Sequence, residues 1–175
     1  IERDYTDQVV TAIDFDNLNP LLTADNSQVN GIAAGVIADL IERDHTDQVV
    51  EAIDLETLNT PLLAHLPQAN TYAASAIVRL IERDYTDQIV DAINLSDLNI
   101  PLTADDPQAS SHAAGAISKL VKSDYTDQVV EAINLDNLNT PLTANSPRAK
   151  ANAALVIARL IERDYTNQVV EAIHL

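Results

Sequence analysis

From Pro107 onward, Ala109, Ala113, Ala116, Ile117, Leu120 and Val121 recur at spacings of three and four. That period belongs to a helix buried along one side, whereas a strand would alternate. Ala114 adds a second apolar flank, as a helix sandwiched between two neighbours needs. The start of this helix is marked by Asp106-Pro107 and again by Ser146-Pro147, a capping side chain followed by proline at the first helical position. Leu66-Pro67 and Asn26-Ser27 keep half of that signal each, and the helix is expected to run to about Arg83 or its equivalents. Thr46, Thr86 and Thr126 then read as caps of a second helix, with Val49, Val50, Ala52 and Ile53 on its inner side. A third, short helix is expected at Thr60-Pro61 and Thr140-Pro141, after a turn anchored by Leu138.

The same set of elements returns along the chain. Ile1-Glu2-Arg3-Asp4-Tyr5-Thr6-Asp7-Gln8-Val9-Val10 reappears almost intact from Ile41, Ile81, Val121 and Ile161. A period of this length marks stacked supersecondary units, none of which can bury its apolar face alone. The units are expected at about 1–40, 41–80, 81–120 and 121–160, with a partial one at 161–175. Together they form a single array, read as a segment of a longer protein.

Asp106-Pro107-Gln108-Ala109, followed by Ala113-Ala114, Ala116-Ile117 and Leu120, resembles the second helix of HEAT repeats. The order of two short helices and a long one, opened by Asp47 to Ile53, is more similar to armadillo repeats. The resemblance implies an all-α, right-handed α-solenoid of tandem HEAT/armadillo-like repeats. It does not imply the family's ligand mode. The arginine of HEAT repeats falls on Asn30, Asn70, Ser110 and Lys150. The asparagines that grip peptide backbones in armadillo proteins fall on Asp39, Arg79, Lys119 and Arg159, and the tryptophans on Gly35, Ser75, Gly115 and Leu155. Fold carries over in such a comparison; function has to be argued from the site.

Composition narrows the chemistry. A formal charge of −17 argues against a nucleic-acid partner and against anionic membranes. No apolar run is long enough to span a bilayer. The absence of cysteine removes thiolate metal sites and a cysteine nucleophile, and leaves the compartment open. His45, His65, His112 and His174 show no ligand spacing. The loop oxygens of Asp14, Asp16, Asn17 and Asn19 lack the glycine and glutamate of a calcium loop. Neither a catalytic constellation nor a cofactor motif is present, so no enzyme activity and no cofactor are expected. The recurring Asp44, Asp84, Asp124 and Asp164 read as caps or rungs between units. Tyr5, Tyr85, Tyr125 and Tyr165 read as packing residues.

The units differ most along one side of the long helix. Ile32, Tyr72, His112 and Asn152 form one row, Gly35, Ser75, Gly115 and Leu155 a second, and Asp39, Arg79, Lys119 and Arg159 a third. Spacings of three and four put the rows on one stripe, which in such solenoids lines the concave recognition surface. The expected function is a non-catalytic scaffold binding a protein or extended peptide there, with the small residues leaving a shallow groove and Tyr72 as anchor. The positive charges of the third row would favour an acidic segment, although Arg79 and Arg159 could instead pair with Glu82 and Glu162 three residues on. The alternatives are a structural segment that self-associates head to tail through uncapped ends, and an accessory domain of a larger enzyme.

Overall fold

The computed structural model of the chain describes residues 15–173. A single 3-10 turn, Phe15–Asn17, leads into α1 (Leu18–Leu22), α2 (Ser27–Glu42) and α3 (Thr46–Ala52). The 3-10 turn Leu55–Leu58 leads into α4 (Asn59–Leu63) and α5 (Pro67–Glu82), followed by α6 (Thr86–Ala92). The turn Leu95–Leu98, α7 (Asn99–Leu102), α8 (Pro107–Lys122) and α9 (Thr126–Ala132) repeat the set. So do the turn Leu135–Leu138, α10 (Asn139–Thr143), α11 (Pro147–Glu162) and α12 (Thr166–Ala172). There is no strand among the described residues.

The long helices start where the sequence marks them. The Asp106 carboxylate accepts from the Gln108 N–H at 2.9 Å, the Ser146 hydroxyl from the Ala149 N–H at 3.3 Å, and the Asn26 amide from Gln28 and Val29. Each satisfies a donor that the first helical turn leaves open. Leu66 offers no such group, and α5 relies on Pro67, whose missing N–H needs no partner.

Three of the four long helices end on a left-handed residue. Asp44, Asp84 and Asp164 have φ of 70°, 68° and 70°. The His45 N–H reaches back to the Leu40 carbonyl at 3.0 Å, and the Asp44 N–H to that of Ile41 at 3.3 Å. The same pair of bonds recurs at Asp84-Tyr85 and Asp164-Tyr165. This closure usually takes glycine, and aspartate is among the few other residues that tolerate it. These aspartates are therefore caps made by the backbone, and the Asp44 carboxylate is also a rung between units, paired with Arg83 at 2.6 Å. The end of α8 departs from it: Ser123 is extended, at φ −81° and ψ −172°, and its hydroxyl donates to the Lys119 carbonyl.

Two expected caps fall elsewhere. Thr46, Thr86 and Thr126 are the first residues of their helices; the cap positions are His45, Tyr85 and Tyr125, which make no side-chain capping bond. Instead the Thr126 hydroxyl donates to the Val121 carbonyl at 3.0 Å, tying α9 to α8. The short helices likewise begin one residue before Thr60 and Thr140, at Asn59 and Asn139, because those asparagines are held from both sides.

Packing proceeds by layers. The long helices lie side by side, α2 against α5, α5 against α8 and α8 against α11. Small residues allow this close approach: Ala69, Ala73, Ala74 and Ala76 on α5, and Ala109, Ala113, Ala114 and Ala116 on α8, are fully buried. At Gly31 a Cβ would stand only 2.9 Å from that of Ala69. Beneath this layer the short elements contribute Val49, Ile89 and Val129, together with Leu58, Leu98 and Leu138, all fully buried. Each such leucine contributes about 1.5–3 kcal/mol by leaving water.

Candidate binding face of the long helices

What α2, α5, α8 and α11 leave toward solvent is the stripe expected from the sequence, but most of it leans onto the preceding helix. Ile32 is 57% exposed and Asp39 is exposed, while Tyr72, His112 and Asn152 are half-buried. The Tyr72 ring lies over Gly35, where a Cβ would come within 3.2 Å of it. Its hydroxyl accepts from the Gln68 amide at 3.0 Å. The Asn152 amide donates to the Ser111 carbonyl at 2.9 Å and lies against Gly115. Ser75 and Gly115 are buried, and Leu155, at 46% exposure, is the one large side chain of that row. The small residues therefore leave no continuous groove. They are the seats into which larger side chains of the next unit fit.

The charged row also points backward along the array. Arg79 pairs with Glu42 at 2.8 Å, and its Nε donates to the Ser75 hydroxyl at 3.2 Å. Lys119 pairs with Glu82 at 3.2 Å. Arg159 donates to the Ser118 carbonyl and, at 2.6 Å, to the Ser118 hydroxyl. The alternative pairing three residues on, with Glu82 and Glu162, does not occur. A long side chain on a helix lies toward the preceding turn, and here toward the neighbour packed beside it. Between α8 and α11 a depression of about 140 Å³ remains, lined by Ser111, His112, Lys119, Arg148, Asn152 and Arg159 among others. Burial pushes the His112 pKa below its ordinary value, against the opposing effect of a hydrogen bond with the Thr71 backbone. Its Nδ1 is buried without a partner.

Two ladders on the rest of the surface account for the side chains that hardly change. The Tyr85 hydroxyl donates to Asp47 at 2.6 Å, that of Tyr125 to Asp87 at 2.8 Å, and that of Tyr165 to Asp127. The tyrosines thus tie neighbouring units together, and the exposed aspartates recur because each accepts such a bond. The second ladder lies in the turn-like segment before each short helix. Asn19, Asn59, Asn99 and Asn139 donate to the carbonyls of Ala52, Ala92, Ala132 and Ala172 at 2.9–3.1 Å. The first three also accept the N–H groups of Asp54, Asn94 and Asn134. One amide thus closes both backbone groups of the next unit's corner. The signal for it was the recurring Leu-Asn pair, Leu58-Asn59 and Leu98-Asn99. A further asparagine, Asn70, is buried and donates to the Pro61, Leu62 and Ala64 carbonyls, closing the end of α4.

Among the described residues, no three His, Asp or Glu side chains stand together as a metal site would require. The His45 ring is hydrogen-bonded to Gln48 at 3.1 Å, and His65 is exposed. His174, Tyr5 and Asp14 lie outside the described residues. Asn19, one of the loop oxygens considered for calcium, is engaged in the clamp on Ala52 and Asp54. No helix among the described residues is long and apolar enough to cross a membrane.

Comparison with solved structures defines the class. A computationally designed armadillo repeat protein for modular peptide recognition superposes with a TM-score of 0.80 at 21% identity, over 95% of this chain and 73% of that one. A designed armadillo repeat protein in complex with the peptide (KR)4 gives 0.76 at 20% identity, with the same coverage. An engineered protein gives 0.77 at 27% identity, over 91% of this chain and 69% of that one. Neither protein-family profiles nor curated protein sequences yield a match. The chain is an all-α solenoid of armadillo-like repeats.

Proposed function

We propose that the chain is a non-catalytic scaffold that binds a protein or an extended peptide along the face lined by α2, α5, α8 and α11. The observation that carries this reading is where the units differ. The residues of both ladders recur from unit to unit, whereas the positions facing solvent from the long helices take Ile, Tyr, His and Asn in one row and Asp, Arg, Lys and Arg in another. Constant joints with a changing face are what a modular recognition surface needs. Tyr72, with a half-exposed ring in the middle of the row, is the natural anchor, because aromatic residues dominate interface energetics. Ile32, Ser75, Leu155, Arg79 and Lys119 belong to the same stripe on the successive long helices. The likeness to armadillo proteins made for peptide recognition supports the same reading.

Panning a displayed library of unstructured peptides against the chain tests it. Selected peptides should lose binding in a Tyr72→Ala, Lys119→Ala variant and keep it when Asp47 on the ladder side is replaced by alanine. Selection of peptides indifferent to both sets would sink the reading.

A second reading, end-to-end association of copies, has its own support. Ile161 on α11 is 45% exposed and Val170 on α12 is 71% exposed. Their counterparts Ile41, Ile81 and Val121 are buried, and Val50, Val90 and Val130 half-buried. That apolar side fits a further unit, which a second copy could supply head to tail. Light scattering across a concentration series distinguishes it: a constant monomer mass rules it out.

A further inference from the structure

The long helices change charge along the array. α2 carries Asp39 and Glu42 and no base, and α5 balances Arg79 with Glu82. α8 carries Lys119 and Lys122 with no acid, and α11 carries Arg148 and Arg159 against Glu162 alone, with Lys150 on the side where Asn70 and Ser110 are buried. The face thus runs from negative at α2 to positive at α8 and α11.

The ion pairs show where the pattern breaks. Arg79 is matched by Glu42 on the helix before it, and Lys119 by Glu82. The corresponding partner for Arg159 would be residue 122, and that residue is a lysine. Arg159 turns to the neutral Ser118 carbonyl and hydroxyl instead. Among the described residues no carboxylate lies within ion-pair distance of Lys122, Arg148 or Arg159. Arg148 and Arg159 line the depression between α8 and α11 together with Asn152 and with Lys119, whose charge is matched by Glu82 on the same lining; the two arginines are its unmatched charges.

We propose that this depression takes the carboxylates of an acidic, extended peptide segment, which lies with its acidic end over α8 and α11. The inference rests on the peptide-binding reading above and names the chemistry of the ligand. A glutamate or aspartate of the peptide takes the place that Glu42 and Glu82 hold in the earlier units. It accepts charge-assisted hydrogen bonds from Arg159, and a second carboxylate of the segment meets Arg148, about 16 Å away at the start of α11; guanidinium groups favour carboxylates in this role. The carboxylates of α2 repel the same end of the peptide, so the charge gradient fixes the direction in which it lies.

The experiment measures fluorescence anisotropy of labelled peptides alternating Glu and Ser, Gln and Ser, or Lys and Ser, titrated with the full chain at physiological salt. The Glu-Ser peptide should bind and the other two should not. Lys122→Glu should weaken its binding by at least about tenfold, as a charge reversal beside a bound carboxylate does. This variant restores the pairing of the other units and leaves the fold intact, which a thermal melt checks. Lys122→Arg should keep binding. Equal binding of the Gln-Ser peptide, preference for the Lys-Ser peptide, no binding of any of the three, or indifference to Lys122→Glu would each overturn the assignment of an acidic ligand. The library selection described above decides separately whether the long-helix face binds peptides at all.

Discussion

The Tyr125 hydroxyl donates a hydrogen bond to the Asp87 carboxylate at 2.8 Å, across 38 residues of sequence and one joint between units. The bond raises the phenol's pKa, burial adds to the effect, and the same holds for Tyr85 on Asp47 and Tyr165 on Asp127. A proton held more tightly in the folded state is released first by the unfolded chain. The contribution of these bonds is complete below the ordinary phenol value of about 10 and is lost as pH rises through the higher folded value. Thermal melts followed by circular dichroism should show extra destabilisation above that pH. A variant with Tyr85, Tyr125 and Tyr165 all changed to phenylalanine should start lower but lose less of its stability over the same alkaline range.

Asn99 serves three backbone groups, the carbonyls of Ala132 and Ser96 and the N–H of Asn134. At about 0.5–1.5 kcal/mol for each bond, Asn99→Ala should cost about 2–4 kcal/mol in urea unfolding. Asn99→Asp should cost more, despite its near-identical shape, because it points a charged acceptor at two carbonyl oxygens. Equal losses for the two variants would show that the clamp acts by shape alone.

Left-handed backbone penalises a side chain. Asp84→Gly should therefore raise stability by about 0.5–1 kcal/mol, the relief of the Cβ strain less the added freedom of the unfolded chain. Asp124 occupies the matching place in sequence but has no positive φ. Asp124→Gly should give no gain, and the contrast between the two, read by thermal melts, is the check.

Gly31 and Gly35 lie one helical turn apart and should respond differently to alanine. In a helix interior the change by itself is worth about 1 kcal/mol in favour of alanine. At Gly31 the new Cβ meets the Ala69 Cβ at 2.9 Å and its backbone Cα at 3.0 Å, so α2 and α5 must move apart. Overpacking of that kind costs about 1–3 kcal/mol, and Gly31→Ala should be destabilising on balance. At Gly35 the contact is a tyrosine ring 3.2 Å away, which can tilt, so Gly35→Ala should be close to neutral or mildly stabilising.

Tyr72→Ala carries a structural cost as well as any loss of binding, because the ring covers Gly35. A loss of about 1–2 kcal/mol is expected, above the roughly 0.5 kcal/mol typical of a surface position. Lys119→Ala, which removes a partly exposed ion pair with Glu82, should change stability by no more than about 1 kcal/mol. Binding assays on the two variants should be normalised to folded protein measured by circular dichroism.

Local chemistry wrote much of this fold into the chain. Ala109, Ala113, Ala116 and Ile117 sit at helical spacing because one turn of helix is all that such a pattern describes, and Asp106-Pro107 marks a start that needs no partner outside its own turn. Leu138 was recognisable as an anchor for the same reason: a lone leucine among turn residues has nowhere to go but inward. The order of two short helices and a long one, and the armadillo-like solenoid it builds, followed from those signals and from their return along the chain.

What only the tertiary structure decided lies between units. Asn59 looked like a turn residue because its partners at Ala92 and Asn94 are more than thirty residues away, and nothing in the local spacing names them. Thr46 looked like a cap because its type and place suit one, yet the chain turns one residue earlier, through the left-handed Asp44. The stripe of changing residues was legible as a helix face, but which neighbour it leans on was not. Side-chain direction and the close approach of α2 to α5 bring Tyr72 down onto Gly35 and Arg79 onto Glu42. The sequence alone placed Lys122 on a helix. It took the pairing of Arg79 with Glu42 and of Lys119 with Glu82 to show that Lys122 stands where an acid would have met Arg159.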